Sequence, residues 1–310
     1  TETFPIVIDV TNTNVPTATN TVTFKPALGV SPIIAGNAAA LFKLNGADYI
    51  TFDGSNTVGG TSRDMTMMDS TQVLSGVIWI GSKSVSDGAT FNTVKNCNIK
   101  GFSGTTTTAG VIIGSGTTLG NAAEAPNNNN AITNNNITAV QNAVYHSGFA
   151  TTQDQNISIT NNLFGSTVVA EKLGYRGAIL INAGNFTATG NTINGVVTSS
   201  TSTAHGIQLS SVINGGTIAR NKISDIKNTN SGGYSAIGIT LGASSTASNV
   251  LVANNFVWDV TGYGYTSLTT DMGNAMNIVS GGGYNIYHNT LALTTDQTSA
   301  TSVSAALIIS

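Results

Sequence analysis

The chain has 310 residues, of which only 25 are charged (11 Lys and Arg, 14 Asp and Glu), where a globular chain usually carries about a quarter. The net charge of −3 and the lack of basic runs exclude a nucleic-acid partner, and the 40% hydrophobic share argues against disorder. No apolar stretch reaches the roughly 18 to 20 residues of a membrane-spanning helix, so we expect no membrane insertion.

The first 75 residues contain short apolar stretches separated by turn-forming residues, without a clear repeat. The candidate strands are PIVIDV (5–10), TVTF (21–24), PIIAG (32–36), ALFKL (40–44), DYITFDG (48–54) and DMTMMDS (64–70). Alternation of apolar and polar residues over four to seven positions predicts strands rather than helices. We therefore expect 1–75 to form irregular coils of the same structure as the rest of the chain.

From residue 76 onward, two short patterns alternate along the chain. The first is a small residue followed by an apolar strand, beginning at Gly76, Gly110, Ala143, Gly177, Gly206, Gly238, Ala275 and Ala305. The second is I-x-N-N-x-I, whose fourth position is Cys97, Asn135, Asn162, Asn191, Asn221, Asn255 and Asn289. One unit of about 33 residues therefore repeats along 76–310.

This repeat predicts an all-β solenoid: a single-stranded parallel β-helix with one coil per unit. A propeller unit is longer and contains four strands, and a leucine-rich repeat needs a leucine scaffold that this chain lacks. Thr, Asn, Ser and Gly fill 147 positions and can stack on their own copies, whereas a charge repeated in every coil would repel itself. The shortage of charge therefore fits the solenoid.

The fourth position of the second pattern lies between two apolar columns, so its side chain is expected inside the coil. A buried amide needs hydrogen-bond partners, which stacked Asn side chains give one another from coil to coil. The sequence therefore predicts an internal Asn ladder from Asn135 to Asn289. Cys97 occupies the first position of this column and is expected to mark the end of the ladder.

The sequence resembles secreted bacterial right-handed parallel β-helices of the pectate-lyase-like superfamily. The motifs TFKP, LFKLNGADYITFDGS, GGTSRD, I-x-N-N-x-I and GGGYNIYHNT resemble in particular the β-helix regions of large cell-surface proteins exported by the type IX route. The resemblance covers nearly the whole chain. It implies right-handed coils, an extracellular or cell-surface location and a segment of a longer polypeptide, without implying an activity.

Asp225 and Asp259 are the one acidic pair that the repeat aligns, each four residues after a ladder Asn. On neighbouring coils they should lie about 5 Å apart, which suits a shared proton, a calcium ion or a carboxylate pair for glycoside cleavage. Capping of the strand ends is the alternative. We expect no cofactor other than calcium at this pair.

A polar column precedes the small residues of three successive coils: Asn142, Arg176 and His205. Together with Trp258, beside the acidic pair, these residues are candidates for contacting a sugar, and a solvated corner is the alternative. Of the remaining histidines, His146 falls on an inward strand position, and His288 immediately precedes the ladder residue Asn289.

An apolar strip is predicted on the outside of the first strand of each coil, formed by Ile78, Ile112, Tyr145 and Ile179. Such a flat strip is usually covered. The cover is either the chain's own segment 114–131 or a neighbouring molecule.

Dispersed acids and this strip favour a non-enzymatic extracellular module, structural or adhesive, that associates with itself into a fibre or surface layer or with other cell-surface proteins. The alternative is a β-helix that binds or cleaves a polysaccharide, as a lyase or a glycosidase. An ice-binding surface is less favoured, because the Thr187 and Thr189 unit is not repeated on the neighbouring coils.

Overall fold

The computed structural model describes residues 2–9, 15–70, 74–263, 272–297 and 304–309. Within them the chain is all-β apart from a single 3₁₀ turn, Val169–Glu171. The named strands pair in parallel and stack as a β-solenoid of about 33 residues per turn, which confirms the predicted fold class. The handedness stays a prediction.

Two sheets form the three faces of the solenoid: an 18-stranded sheet forms the first and second faces, and a 10-stranded sheet forms the third. The first face contains β1 (Ile6–Ile8), β4 (Phe42–Asn45), β7 (Gly76–Ser82), β10 (Ala109–Ser115), β13 (Asn142–Ser147), the first halves of β17 (Arg176–Thr189) and β19 (Ala204–Ala219), β21 (Ala236–Ala243), β25 (Gly273–Ser280) and β28 (Ala305–Ile309). The second face contains β2 (Val22–Phe24), β5 (Ile50–Asp53), β8 (Thr93–Lys95), β11 (Ala131–Thr133), β14 (Asp154–Gln155), β15 (Ser158–Thr160), the second halves of β17 and β19, β22 (Val250–Ala253) and β26 (Tyr284–Tyr287). The third face contains β3 (Ile33–Gly36), β6 (Met65–Asp69), β9 (Cys97–Lys100), β12 (Asn136–Thr138), β16 (Leu163–Phe164), β18 (Thr192–Thr198), β20 (Lys222–Asn228), β23 (Phe256–Val257), β24 (Val260–Thr261) and β27 (Thr290–Leu291).

A single left-handed residue turns the chain from the second face to the third in each regular coil. Its φ lies between 51° and 69° at Asn96, Asn134, Asn161, Gly190, Arg220, Asn254 and His288. Asn tolerates this conformation better than most residues, because its short polar side chain bonds locally. The first Asn of the I-x-N-N-x-I pattern therefore makes the corner, and the second points into the core.

Buried Asn side chains line this corner from coil to coil. Asn135 Nδ2 donates to Asn162 Oδ1 at 3.1 Å, and Asn162, Asn191 and Asn221 repeat the contact with the next Asn at 2.9–3.0 Å. Each Asn also bonds backbone groups, as where Asn191 Nδ2 donates to the Ile159 carbonyl at 2.9 Å. These amides are therefore satisfied inside an apolar core.

The core consists of aliphatic and aromatic columns on both sides of the buried Asn residues. The side chains three residues before them and two residues after them are buried, as at Ile132 and Ile137, and only partly buried in the last of these coils, at Ile286 and Leu291. The first face runs without a break in its pairing from β1 through β4 into β7, so the coils of 1–75 share the sheet of the regular coils. No helix within the described ranges combines the length and the apolar character needed to cross a membrane.

Candidate functional site

One column of side chains follows the outer surface of the first face. In register it contains Lys43, Trp79, Ile112, Tyr145, Ile179, Gln208, Thr240, Asn277 and Ile308. The predicted member Ile78 lies instead in the core, paired with Val111, and Trp79 takes its place. The pattern beginning at Gly76 was aligned one residue too early, and in a strand a slip of one residue exchanges the two faces.

The chain itself covers the first part of this column with residues 116–125, which we call the covering segment. Ile112 is fully buried although it points away from the core, and Leu119 of the covering segment packs against the small apolar cluster that contains Ile112 and Trp79. The Trp79 indole N–H donates to the Ser115 carbonyl at 2.8 Å, and Lys43 Nζ lies 4.4 Å from the centre of the Trp79 ring. Of the two covers considered for the strip, the chain's own segment therefore occupies this part.

Hydrogen bonds to Glu124 hold the covering segment against the first face. The Glu124 carboxylate accepts hydrogen bonds from Ser82 Oγ at 2.6 Å, Thr117 Oγ1 at 2.8 Å, the Gly116 N–H at 3.1 Å and Ser115 Oγ. Burial would raise the pKa of Glu124, but these donors outweigh burial and lower the pKa to about 2.

Beyond the covering segment, the first face presents the predicted polar row of Asn142, Arg176 and His205. The three residues lie side by side on neighbouring strands, and Arg176 donates to Asn142 Oδ1 at 3.2 Å and to Gln208 Oε1 at 2.5 Å. Asn142 and His205 are buried, at 3% and 6% exposed, so this row is not a solvated corner. Trp258 lies on the third face and is not part of it.

Arg176 is a half-buried cation, and none of the described carboxylates forms an ion pair with it. Burial lowers the pKa of its guanidinium, and the nearby Tyr145 and Tyr175 side chains partly oppose this shift. A buried charge without a counterion is unfavourable, and a guanidinium is suited to a bidentate carboxylate. The position therefore favours an anionic group from outside the chain.

A groove of about 520 Å³ with polar and apolar lining residues lies on the first face, and Arg176 contacts one of them, Gln208. Its polar lining residues are Thr203, His205, Gln208, Ser210, Ser235, Thr240, Asn277 and Ser280. Burial, with the nearby Arg176 charge, lowers the pKa of His205 to about 3, so the imidazole is neutral near pH 7. Its Nδ1 lies 2.7 Å from Thr240 Oγ1, which fixes the ring at the edge of the groove.

Asp225 and Asp259 lie on neighbouring coils as predicted, but two lysines neutralise them. Lys227 Nζ lies 2.8 Å from Asp225 and 3.1 Å from Asp259, and Lys172 Nζ lies 2.5 Å from Asp225. Both aspartates adopt left-handed φ values, 53° and 52°. The pair thus lies at a bend of the third face, and Lys172 and Lys227 balance its two charges.

The two lysines and one other buried contact were not predicted from the sequence. The contact of Lys227 could have been predicted, because Lys227 is only two residues from Asp225 in the sequence. Lys172 reaches the pair from another coil, which the spacing does not show. His146 Nε2 lies 3.0 Å from Asp154 Oδ2, both fully buried, in a contact that spacing does not predict. Within the described ranges, no group of three or more His, Cys, Asp or Glu side chains is arranged to hold a metal ion.

No protein-family model matches this chain, and no curated protein matches it. Among solved structures, it is similar to the crystal structure of an alginate lyase from Paenibacillus sp. str. FPU-7. The two share 10% identity over 90% of this chain and 99% of that chain, with a TM-score of 0.27.

This comparison corrects one expectation from the sequence. The similar structure is a polysaccharide lyase, which contradicts the expected non-enzymatic structural or adhesive module, and at a TM-score of 0.27 the likeness assigns no activity to this chain. At this level of similarity, the groove residues rather than the likeness carry the argument that follows.

Proposed function

We propose that this chain is an extracellular β-helix that binds an acidic polysaccharide in the groove of the first face. The observation that carries the proposal is Arg176, a half-buried guanidinium beside the groove that forms no ion pair with a described carboxylate. A uronic acid residue supplies both a carboxylate for Arg176 and hydroxyl groups for the amides and hydroxyls of the groove.

The same arrangement supports cleavage by β-elimination as the reaction. When Arg176 neutralises a uronate carboxylate, the proton on the adjacent carbon becomes easier to remove. A base takes that proton, the electron pair forms a carbon–carbon double bond, and the glycosidic oxygen leaves with a proton from an acid. Tyr145, which is near Arg176, is the candidate for these proton transfers, whereas a pKa of about 3 makes His205 a weak base that serves as a neutral hydrogen-bonding group at the groove.

Arg176→Ala tests the proposal. We expect wild-type protein to bind sodium alginate or sodium polygalacturonate, and the variant to bind about tenfold to a hundredfold more weakly, as expected for losing a charge-assisted hydrogen bond. Arg176→Lys should retain only part of the wild-type affinity, because an ammonium group cannot form the bidentate contact with a carboxylate. Calorimetry measures affinity, and ultraviolet absorbance follows the new double bond.

A neutral polysaccharide such as hydroxyethylcellulose is the matched control ligand. Equal binding of neutral and acidic polymers, or unchanged binding by a correctly folded Arg176→Ala variant, contradicts the proposal. Retained binding without an unsaturated product keeps the binding function and rules out elimination.

A further inference from the structure

Two aromatic side chains form an exposed stack on the third face, away from the groove. The rings of Phe256 and Trp258 lie 4.4 Å apart between centroids at an angle of 28°. Phe256 is 42% exposed and Trp258 is half-buried. In register with Phe256 the neighbouring coils carry Lys222 and Thr290, so this aromatic pair interrupts a polar surface.

The charges around the stack favour an anionic ligand. The carboxylates of Asp225 and Asp259 are already paired with Lys172 and Lys227, so they do not offset other cations nearby. Lys222, which is exposed, forms no ion pair with the described part of the chain. The surface therefore joins an aromatic platform to a free positive charge.

We propose that Phe256, Trp258 and Lys222 form a second binding site for acidic polysaccharide, on a different face from the groove. The C–H face of a sugar ring packs against the electron-rich faces of aromatic rings, and a neighbouring carboxylate pairs with Lys222. The choice of ligand rests on the proposed function, whereas the site rests on the aromatic stack and its charges.

Both sites occupy the same stretch of the solenoid, because the coil that begins with β21 contributes Thr240 to the groove and Phe256 to the stack. A long polymer can engage both faces at once, and a short oligosaccharide can engage one. Linked binding raises the affinity for the polymer without any new contact. The second site should therefore matter for polymers and not for short fragments.

The test compares two variants with the wild-type chain. One is a double variant that carries both Phe256→Ala and Trp258→Ala, and the other carries Lys222→Ala alone. The probes are sodium alginate polymer, in affinity electrophoresis, and alginate trisaccharide, in calorimetry. We expect the double variant to bind polymer at least tenfold more weakly while trisaccharide binding changes less than twofold. Tyr287→Ala removes another exposed aromatic ring, on the second face, and is the matched control.

Unchanged polymer binding by the double variant overturns the second site, and so does an equal loss in Tyr287→Ala. A wild-type dimer that the double variant abolishes also overturns it, because the stack is then a contact between copies. A different result would contradict the proposed groove site: polymer binding would then survive Arg176→Ala and be lost in the double variant.

Discussion

Each buried Asn at the corner of the solenoid joins three coils at once. Asn191 Nδ2 donates to Asn221 Oδ1 and to the Ile159 carbonyl, while its Oδ1 accepts from both the backbone N–H and the side chain of Asn162. All donor hydrogens and the acceptor of this amide are thereby used in an apolar core. Such a residue enforces register, because a shifted coil would leave buried amides unpaired.

Asn191→Ala should lower the free energy of unfolding by about 2 to 5 kcal/mol. The change removes the Asn191 partner of the Ile159 carbonyl, of the Asn162 N–H and of one Asn162 Nδ2 hydrogen, and each buried group left unsatisfied costs about 1–3 kcal/mol. Chemical denaturation measures the difference. Asn194→Ala, on the outer surface of β18 just after Asn191, is the control and should change stability by less than about 0.5 kcal/mol. Equal effects of the two substitutions would show that the buried position has no special role.

Cys97 occupies the first position of the Asn column and behaves as an apolar residue. Its backbone N–H donates to Asn135 Oδ1 at 3.0 Å, so the neighbouring amide stays bonded although no amide stands at position 97. Burial raises the pKa of the thiol to about 12, which keeps it protonated and unreactive.

At the scale of the element, the covering segment depends on a single carboxylate. Glu124 accepts bonds from Ser82 and Gly116 across the base of the segment, and the segment in turn shields Trp79 and Ile112. Since the folded pKa of about 2 is below the ordinary 4.5, the ionised carboxylate stabilises the segment above pH 4.5. That contribution falls as the pH drops from 4.5 towards 2.

Glu124→Gln should therefore remove part of the acid sensitivity of the covering segment. In a Trp258→Phe background, Trp79 is the one remaining tryptophan, and its emission reports whether the segment still covers it. Between pH 5 and pH 2 we expect the Trp79 emission to shift to the red in the parent and to change less in the Gln variant. Asp64→Asn, at a distant turn, is the control and should retain the parent's pH profile. Identical profiles for the parent and Glu124→Gln would contradict the fastening role.

At the scale of the whole molecule, the named strands of each coil pair only with strands of the coils before and after it. Core side chains of the middle coils, such as Leu180 and Leu209, are fully buried, whereas Phe24 and Ile309 near the two ends are 38% and 75% exposed. In a quasi-one-dimensional structure, stability is a sum over coils and their interfaces, so an end coil has one interface fewer.

Hydrogen exchange should therefore show a gradient along the chain. We expect the slowest amide exchange in β17 to β20 and progressively faster exchange towards β2 and β28, because opening begins at the ends. Mass spectrometry of peptic fragments measures this. Uniform protection over all coils would mean that the solenoid opens as one cooperative unit.

The sequence predicted the fold because a repeat displays its geometry many times. The position of Ile132, three residues before a buried Asn, recurs in every regular coil, so its burial follows from the pattern alone. Ile78 was misplaced because the local letters GVIW resemble GVII, and a slip of one residue is invisible without the strand pairing.

The candidate site was only partly predictable, since its decisive properties are not local. Spacing aligned Asn142, Arg176 and His205, but it could not reveal that Arg176 is half-buried without an ion pair. Likewise, Asp225 and Asp259 were aligned correctly, while the contribution of Lys172 depends on a loop from another coil. Burial and charge balance arise from the packing of several coils, and the sequence pattern of one coil does not contain them.

The corner formed by the buried Asn residues has a consequence for how such a chain can vary. Successive positions in that column are separated by 38 residues from Cys97 to Asn135 but only 27 from Asn135 to Asn162, although in both cases the backbone N–H donates to the next Asn Oδ1, at 3.0 and 2.9 Å. The perimeter of the coil is thus fixed, and additional residues leave it as loops, of which the covering segment is one. New surface features can therefore be gained by insertion between neighbouring corners, with the register of every other coil unchanged.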